Sequence, residues 1–321
     1  MKQAIALIPG FWGFVNDGPL RYFTQTFVDR LRAAVAPVEV LPVGTQPTAS
    51  LAERQEALIE ELRAHGTRRW HLVGHSTGGV DAALMLRTHR LVYADGRSVF
   101  SSQRHSVLEI GSAIAISAPH HGTGLVSAVT LPNLLRTGYD VLDGPERQRV
   151  ERLRFALAGL RHGASLLRAR LKGDLRPDVA SDLTTTDNRR AGARLFSIAT
   201  MAPPPHARSN RLFHDLWRWT ATGATAMAAS VQPTRMITSG FRPATIDHTA
   251  NDGVVNTLRQ LDGESAAIVI GDHADVIGHY ETRREPALLS GAKFRGKQLD
   301  EVVQRVADCV HAAISDAPLA S

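Results

Sequence analysis

Apolar and polar positions change rhythm several times along the chain, and each rhythm predicts an element. Residues 3–8 are an apolar run that stops at Pro9-Gly10, which predicts a buried strand and then a loop. Leu20, Phe23, Phe27, Leu31 and Val35 fall mostly at helical spacing. VEVLPV at 38–43 predicts a second strand. Ser50, with Glu53 three residues later, predicts a capping box; its helix runs to His65 and stops at Gly66. Residues 69–73 predict a third strand, Val80 and Leu84 belong to a following helix, and SAIAISA at 112–118 predicts a fourth strand. Later strands are predicted at 194–200 and 265–270, and an amphipathic helix at 299–314.

Alternating strands and helices imply a mostly parallel sheet flanked by helices, an α/β fold. Two stretches depart from the rhythm. In 126–190, Val150, Leu153, Leu157, Leu160, Ala164, Leu167 and Leu171 form an apolar helical stripe, with Arg147, Arg154, Arg161 and Arg168 off it. Gly159 and Gly163 weaken it as one long helix. It reads as an ordinary packed helix, as a cap over a site, or as a helix lying on a membrane surface. A second insertion, 203–235, opens with three prolines and carries Trp217 and Trp219. The expected organisation is a core of 1–125 and 191–321 with 126–190 as a helical cap insertion.

Composition changes this picture little. The 321 residues are 43% hydrophobic, enough for a sizeable core. Net charge is +6, but lysine occurs only at Lys2, Lys172, Lys293 and Lys297, so the excess is arginine spread along the chain. No nucleic-acid-binding motif accompanies it, so no nucleic-acid partner is expected. Cys309 is the single cysteine, which excludes an intrachain disulfide. No stretch approaches the roughly 18 apolar residues of a membrane span. The first apolar run is too short for a secretion signal and has no small-residue cleavage site. A cytoplasmic location is expected, with secretion by another route left open.

The chemistry starts at VGHSTGG, residues 73–79. Ser76 falls between a predicted strand and a predicted helix, with Gly74 and Gly78 two positions to either side. That is the context of a G-x-S-x-G nucleophile elbow, where a serine sits on a strained turn and strand and helix approach closely. A serine nucleophile needs a base, and the base an orienting acid, in the chain order Ser, Asp or Glu, His. Asp252, in the loop NDGVV, is the candidate acid, with Asp247 a nearby competitor. His273, three residues beyond the strand ending at Ile270, is the candidate base. His279 lies further on and is expected to cover the site or pair with a carboxylate. Oxyanion donors are expected from the backbone N–H groups of Thr77, after the nucleophile, and Phe11, in the loop after the first strand.

GHSTGG, IPGFWGF, APHHGTG at 118–124, NDGVV and DHADVIGH at 272–279 together resemble the bacterial lipases and esterases of the α/β-hydrolase superfamily. The resemblance covers about 1–125 and 194–315. It implies an α/β-hydrolase fold, ester hydrolysis, Ser76 as nucleophile, Asp252 as acid, His273 as base, and Phe11 and Thr77 as oxyanion donors. The family has histidine before the first oxyanion glycine; here it is Pro9. The resemblance also implies a calcium ion beside the base, with Asp275 as the one ligand carried over. The upstream carboxylate has no match in AASVQPTRM, and His279 replaces a neutral ligand for a cation that prefers oxygen. No cofactor is therefore expected; a weak calcium site at Asp275 is the one metal reading left open.

The expected activity is a lipase or carboxylesterase acting on a small-molecule or lipid ester, with weak lipid-interface contact through the cap. An acyltransferase or a polyester depolymerase would use the same triad. A non-catalytic ligand-binding protein on this scaffold is the alternative from another class.

Overall fold

The computed structural model describes residues 1–11, 21–46, 48–66, 68–86, 108–128, 171–176, 192–206, 209, 211–222, 235–280, 290–316 and 319. The arginine-flanked stripe of 150–170 lies outside them.

The strands form one seven-stranded sheet in the order β2-β1-β3-β4-β5-β7-β6. They are β1 (Gln3–Ile8), β2 (Glu39–Pro42), β3 (Arg69–His75), β4 (Glu109–Ile116), β5 (Arg194–Met201), β6 (Met236–Ile237) and β7 (Glu264–Ile270). Every pairing is parallel. Parallel strands are covered on both faces, and the two sets of alternate side chains fill different cores. In β1, Ala4, Ala6 and Ile8 face one core, with Leu58 and Leu62 of α2 (Leu51–Ala64). Ile5 and Leu7 face the other, with α1 (Gln25–Val35) and the C-terminal helix Gly296–Ser315.

The predicted elements form, with shifted ends. Both halves of the capping box form at Ser50 and Glu53. β3 runs two residues past its predicted end, and α3 (Thr77–Met85) starts directly after Ser76 rather than near Val80. α1 opens at Gln25 because Thr24 accepts the Phe27 N–H at 3.3 Å, so Phe23 packs ahead of the helix. Among the elements absent from the sequence reading are edge strand β6, two residues long, and helix α4 (Arg211–Thr222) in the second insertion.

The sheet order reverses direction between β1 and β3: the chain leaves β1 for β2 on one side and returns to β3 on the other. A crevice outside the carboxyl ends of strands at such a switch point is where open α/β sheets hold ligands. The loop after β1 and the turn after β3 both lie there.

Of the first insertion, the short helix Leu171–Asp174 and its flank are described. Asp174 is buried and accepts the Leu51 N–H at 2.8 Å; the Leu175 carbonyl accepts the Thr123 N–H at 3.0 Å. This end of the insertion is anchored on the body. Among the described residues no helix is long and apolar enough to cross a membrane.

Candidate active site

Ser76 has φ 56° and ψ −128°, the strained left-handed backbone expected of an elbow. The flanking glycines are required by contact. A Cβ on Gly74 would overlap the Gly78 carbonyl, and a Cβ on Gly78 would overlap the Ile8 carbonyl and come within 2.7 Å of the Pro9 oxygen. The Ser76 side chain makes no cap hydrogen bond to α3. Thr77 is the first residue of that helix, so its N–H has no intrahelical carbonyl to bond.

The loop after β1 crosses this turn. A Cβ on Gly10, the residue before Phe11, would lie 2.7 Å from Ser76 Cβ. A buried ion pair fixes the loop from below. Arg54 of α2 donates through Nε and Nη2 to Asp81 Oδ2 of α3, at 2.9 and 2.5 Å. Its Nη2 also donates to the Pro9 carbonyl at 3.0 Å.

Asp252 and His273 meet 21 residues apart in sequence: His273 Nδ1 lies 2.8 Å from Asp252 Oδ2. Asp252 is fully buried and saturated with donors. Its Oδ1 accepts the N–H groups of Val254 and Val255 at 2.9 and 2.7 Å. Its Oδ2 also accepts from Thr200 Oγ1 at 2.5 Å and Gln260 Nε2 at 3.2 Å. Asp247, the competitor, is spent in its own turn, where Oδ1 accepts Thr249 N–H at 2.8 Å and Thr249 O–H at 2.6 Å. These bonds, the Thr249 hydroxyl first, hold its carboxyl below the usual range.

α4 buttresses the loop that carries Asp252. Thr220 Oγ1 donates to the Gly253 carbonyl at 3.1 Å, and Asn256 Nδ2 donates to the Thr220 carbonyl at 3.1 Å. The Phe213 ring packs where a Gly253 Cβ would stand, at 3.0 Å, and Gly253 has φ 94°. The APHHGTG loop docks on the other side, with Thr123 Oγ1 donating to the Val254 carbonyl at 2.5 Å.

His273 is held against the elbow: its ring centroid lies 4.6 Å from that of His75, the residue before Ser76. His279, expected to cover the site or pair with a carboxylate, meets backbone carbonyls among the described residues. A left-handed Gly278 ends the short 3-10 helix Asp275–Ile277. His279 Nε2 then donates to the carbonyls of Tyr22 at 2.8 Å and Arg21 at 3.1 Å.

The residues at Asp275 do not fit a calcium ion. Its Oδ2 accepts the Asp272 N–H at 2.8 Å, closing the turn that carries His273. Among the described residues no three His, Cys, Asp or Glu side chains gather into a metal-holding group. Asp272 is itself buried, and burial pushes its carboxyl up to about 6.

The sequence reading missed Thr200, Gln260, Tyr22 and His75. Only His75 carried a signal, as a polar side chain at the carboxyl end of a mostly buried strand, directly before Ser76.

No family model and no curated protein matches the chain. Solved structures do. EstA from Clostridium botulinum is 16% identical with a TM-score of 0.53, covering 95% of this chain and 88% of that one. Lipase 1 from Pelosinus fermentans is also 16% identical with a TM-score of 0.53, covering 95% of this chain and 98% of that one. The metagenomic carboxyl esterase MGS0156 is 14% identical with a TM-score of 0.53, covering 98% of this chain and 76% of that one. At these identities the likeness is one of fold, and together with the parallel sheet flanked by helices it makes this an α/β-hydrolase fold.

Proposed function

We propose that the chain is a carboxylic ester hydrolase working through an acyl-enzyme on Ser76. The observation that carries this is the buried Asp252–His273 pair, 2.8 Å apart, whose His273 ring lies 4.6 Å from that of His75, the residue before the strained Ser76. The names of the structural neighbours, lipases and esterases, support the same class.

Ser76 Oγ attacks the ester carbonyl carbon as His273 Nε2 takes its proton. Asp252 keeps the remaining proton on Nδ1 and stabilises the imidazolium. The N–H groups of Phe11 and Thr77 bind the carbonyl oxygen as it gains charge. Collapse returns the proton to the leaving alcohol and forms the acyl-serine. Water, deprotonated by His273, repeats the sequence and releases the acid. The substrate is a small-molecule or lipid ester.

The test is labelling with a fluorophosphonate ester together with hydrolysis of p-nitrophenyl esters of increasing acyl length. Wild type should be labelled once, at Ser76, and Ser76→Ala should fold and lose activity by about 10⁴ to 10⁶. An active Ser76→Ala protein, or labelling at another residue, overturns the mechanism. An added alcohol that outcompetes water for the acyl-enzyme would reassign the chain to acyl transfer.

A further inference from the structure

His75 stands between the nucleophile and the base without belonging to the triad. It is buried, and both ring nitrogens are engaged. Nε2 lies 2.8 Å from the His273 carbonyl, and Nδ1 lies 2.6 Å from the Tyr22 hydroxyl. A carbonyl can only accept, so Nε2 carries the proton. Burial, with the neighbouring His273 next in size, holds the His75 pKa well below its ordinary value, so the ring is neutral. Nδ1 therefore accepts, and the Tyr22 O–H donates to it. Tyr22 in turn meets the loop after β1: its hydroxyl stands so close to Gly10 that no Cβ could be placed there.

The result is one directed chain, from the Tyr22 hydroxyl through the His75 ring to the His273 carbonyl, with the Tyr22 hydroxyl packed on Gly10 of the loop after β1. It joins the oxyanion loop to the base loop across the elbow. The segment holding Tyr22 is itself tied to the far end of the base loop. Thr24 N–H and Thr24 Oγ1 both donate to the Ile277 carbonyl at 3.1 Å, and His279 Nε2 donates to the Tyr22 carbonyl at 2.8 Å. The turn 273–279 is thus gripped at both ends by residues 22–24, once through His75 and once directly.

We propose that Tyr22 and His75 are positioning residues that set the base and the oxyanion loop at a fixed separation around Ser76. This rests on the serine hydrolase reading above. Neither residue touches the reacting atoms. Their effect belongs to turnover, because both halves of the machinery must fit one tetrahedral intermediate, and a displacement near 1 Å costs about 10²-fold. His75 must also stay uncharged in this role, since its ring faces the one that becomes an imidazolium.

The test compares Tyr22→Phe, His75→Leu and His75→Gln with wild type on a short-chain p-nitrophenyl ester, with active sites counted by fluorophosphonate titration. Tyr22→Phe and His75→Leu should each lower kcat about 10- to 100-fold with KM within about twofold. His75→Gln, whose amide can donate to the His273 carbonyl and accept from Tyr22, should recover most of the lost kcat. A purely structural role would lower the fraction of titratable sites and leave kcat per site unchanged. Tyr22→Phe and His75→Leu within twofold of wild-type kcat, or no recovery in His75→Gln, overturns the proposal while an active, Ser76-labelled wild type leaves the hydrolase reading standing. If wild type is neither active nor labelled, the hydrolase reading fails first and this inference with it.

Discussion

His273 and Asp252 are joined twice: Nδ1 to Oδ2 at 2.8 Å, and His273 N–H to the Asp252 carbonyl at 3.1 Å. The backbone bond fixes the spacing of the two loops, so the side-chain pair does not have to hold them together. Asp252→Asn should therefore fold normally, with its amide oxygen still accepting the Val254 and Val255 N–H groups. It should lose about 10⁴ in kcat, because the amide presents a donor to Nδ1 and favours the wrong tautomer. Ester kinetics and near-ultraviolet circular dichroism on the same sample check both halves.

The Thr200 hydroxyl lies within reach of three oxygens: Asp252 Oδ2 at 2.5 Å, Ser117 Oγ at 2.9 Å and Gln260 Oε1 at 3.1 Å. Its one proton goes to the carboxylate, the strongest acceptor. Thr200→Val keeps the volume and removes that donor. Stability should fall by about 1–3 kcal/mol and kcat by about tenfold. Urea unfolding and turnover on one ester measure the two effects, and an unchanged kcat would show that Gln260 and the Val254 and Val255 N–H groups suffice to orient Asp252.

Gly78→Ala drives a methyl into two backbone carbonyls, which cannot move aside as a flexible side chain could. A loss of about 1–3 kcal/mol is expected, with activity falling as the elbow shifts. Gly173→Ala is the control: its added methyl meets nothing within 4 Å, and the change should stay within about 0.5 kcal/mol. Denaturant midpoints of the two variants separate close packing from glycine removal as such.

Arg54 and Asp81 are both fully buried, and burial raises the Asp81 pKa against the pull of Arg54. Arg54→Met leaves an unpaired buried carboxyl and should cost about 3–5 kcal/mol. Arg54→Met with Asp81→Leu should recover much of that stability, since the pair's desolvation disappears with it. The double variant still lacks the bond to Pro9, so its activity should remain low. A double-mutant cycle in stability and in kcat would expose the split.

His71 is buried on β3 between Ser112 Oγ at 2.8 Å and Gln3 Oε1 at 2.9 Å. Burial, with Arg69 as a smaller cause, lowers its pKa from 6.5 to about 4. The unfolded chain takes up this proton below about pH 6.5, while the folded chain resists it until about 4. The contribution of neutral His71 is fully present above about 6.5 and is lost as pH falls toward 4, by about 1.4 kcal/mol per pH unit within that window. His75 adds in the same direction. Stability measured at several pH values between 7.5 and 4.5 should fall toward acid, with a slope shallower by about one proton in His71→Gln.

The sequence by itself determined whatever depends on neighbours a few residues apart. Alternating runs specified the strands and helices, because side-chain period follows directly from backbone geometry. Ser50 and Glu53 announced a helix start, since both ends of that hydrogen-bond exchange lie within one turn. Gly74 and Gly78 announced the elbow, and order along the chain placed Asp252 and His273. Element ends and the His279 contacts were beyond that reach. The Thr24 that caps α1 is also tied to Ile277, 253 residues away, and no local pattern encodes such a tie. The tertiary structure alone inserted β7 between β5 and β6, brought Thr200 and Gln260 onto the acid, and laid α4 along the NDG loop. It also gave His75 its two partners. A polar residue ending a buried strand declares only that its nitrogens need partners; which groups satisfy them depends on the loops that converge at the carboxyl ends of distant strands.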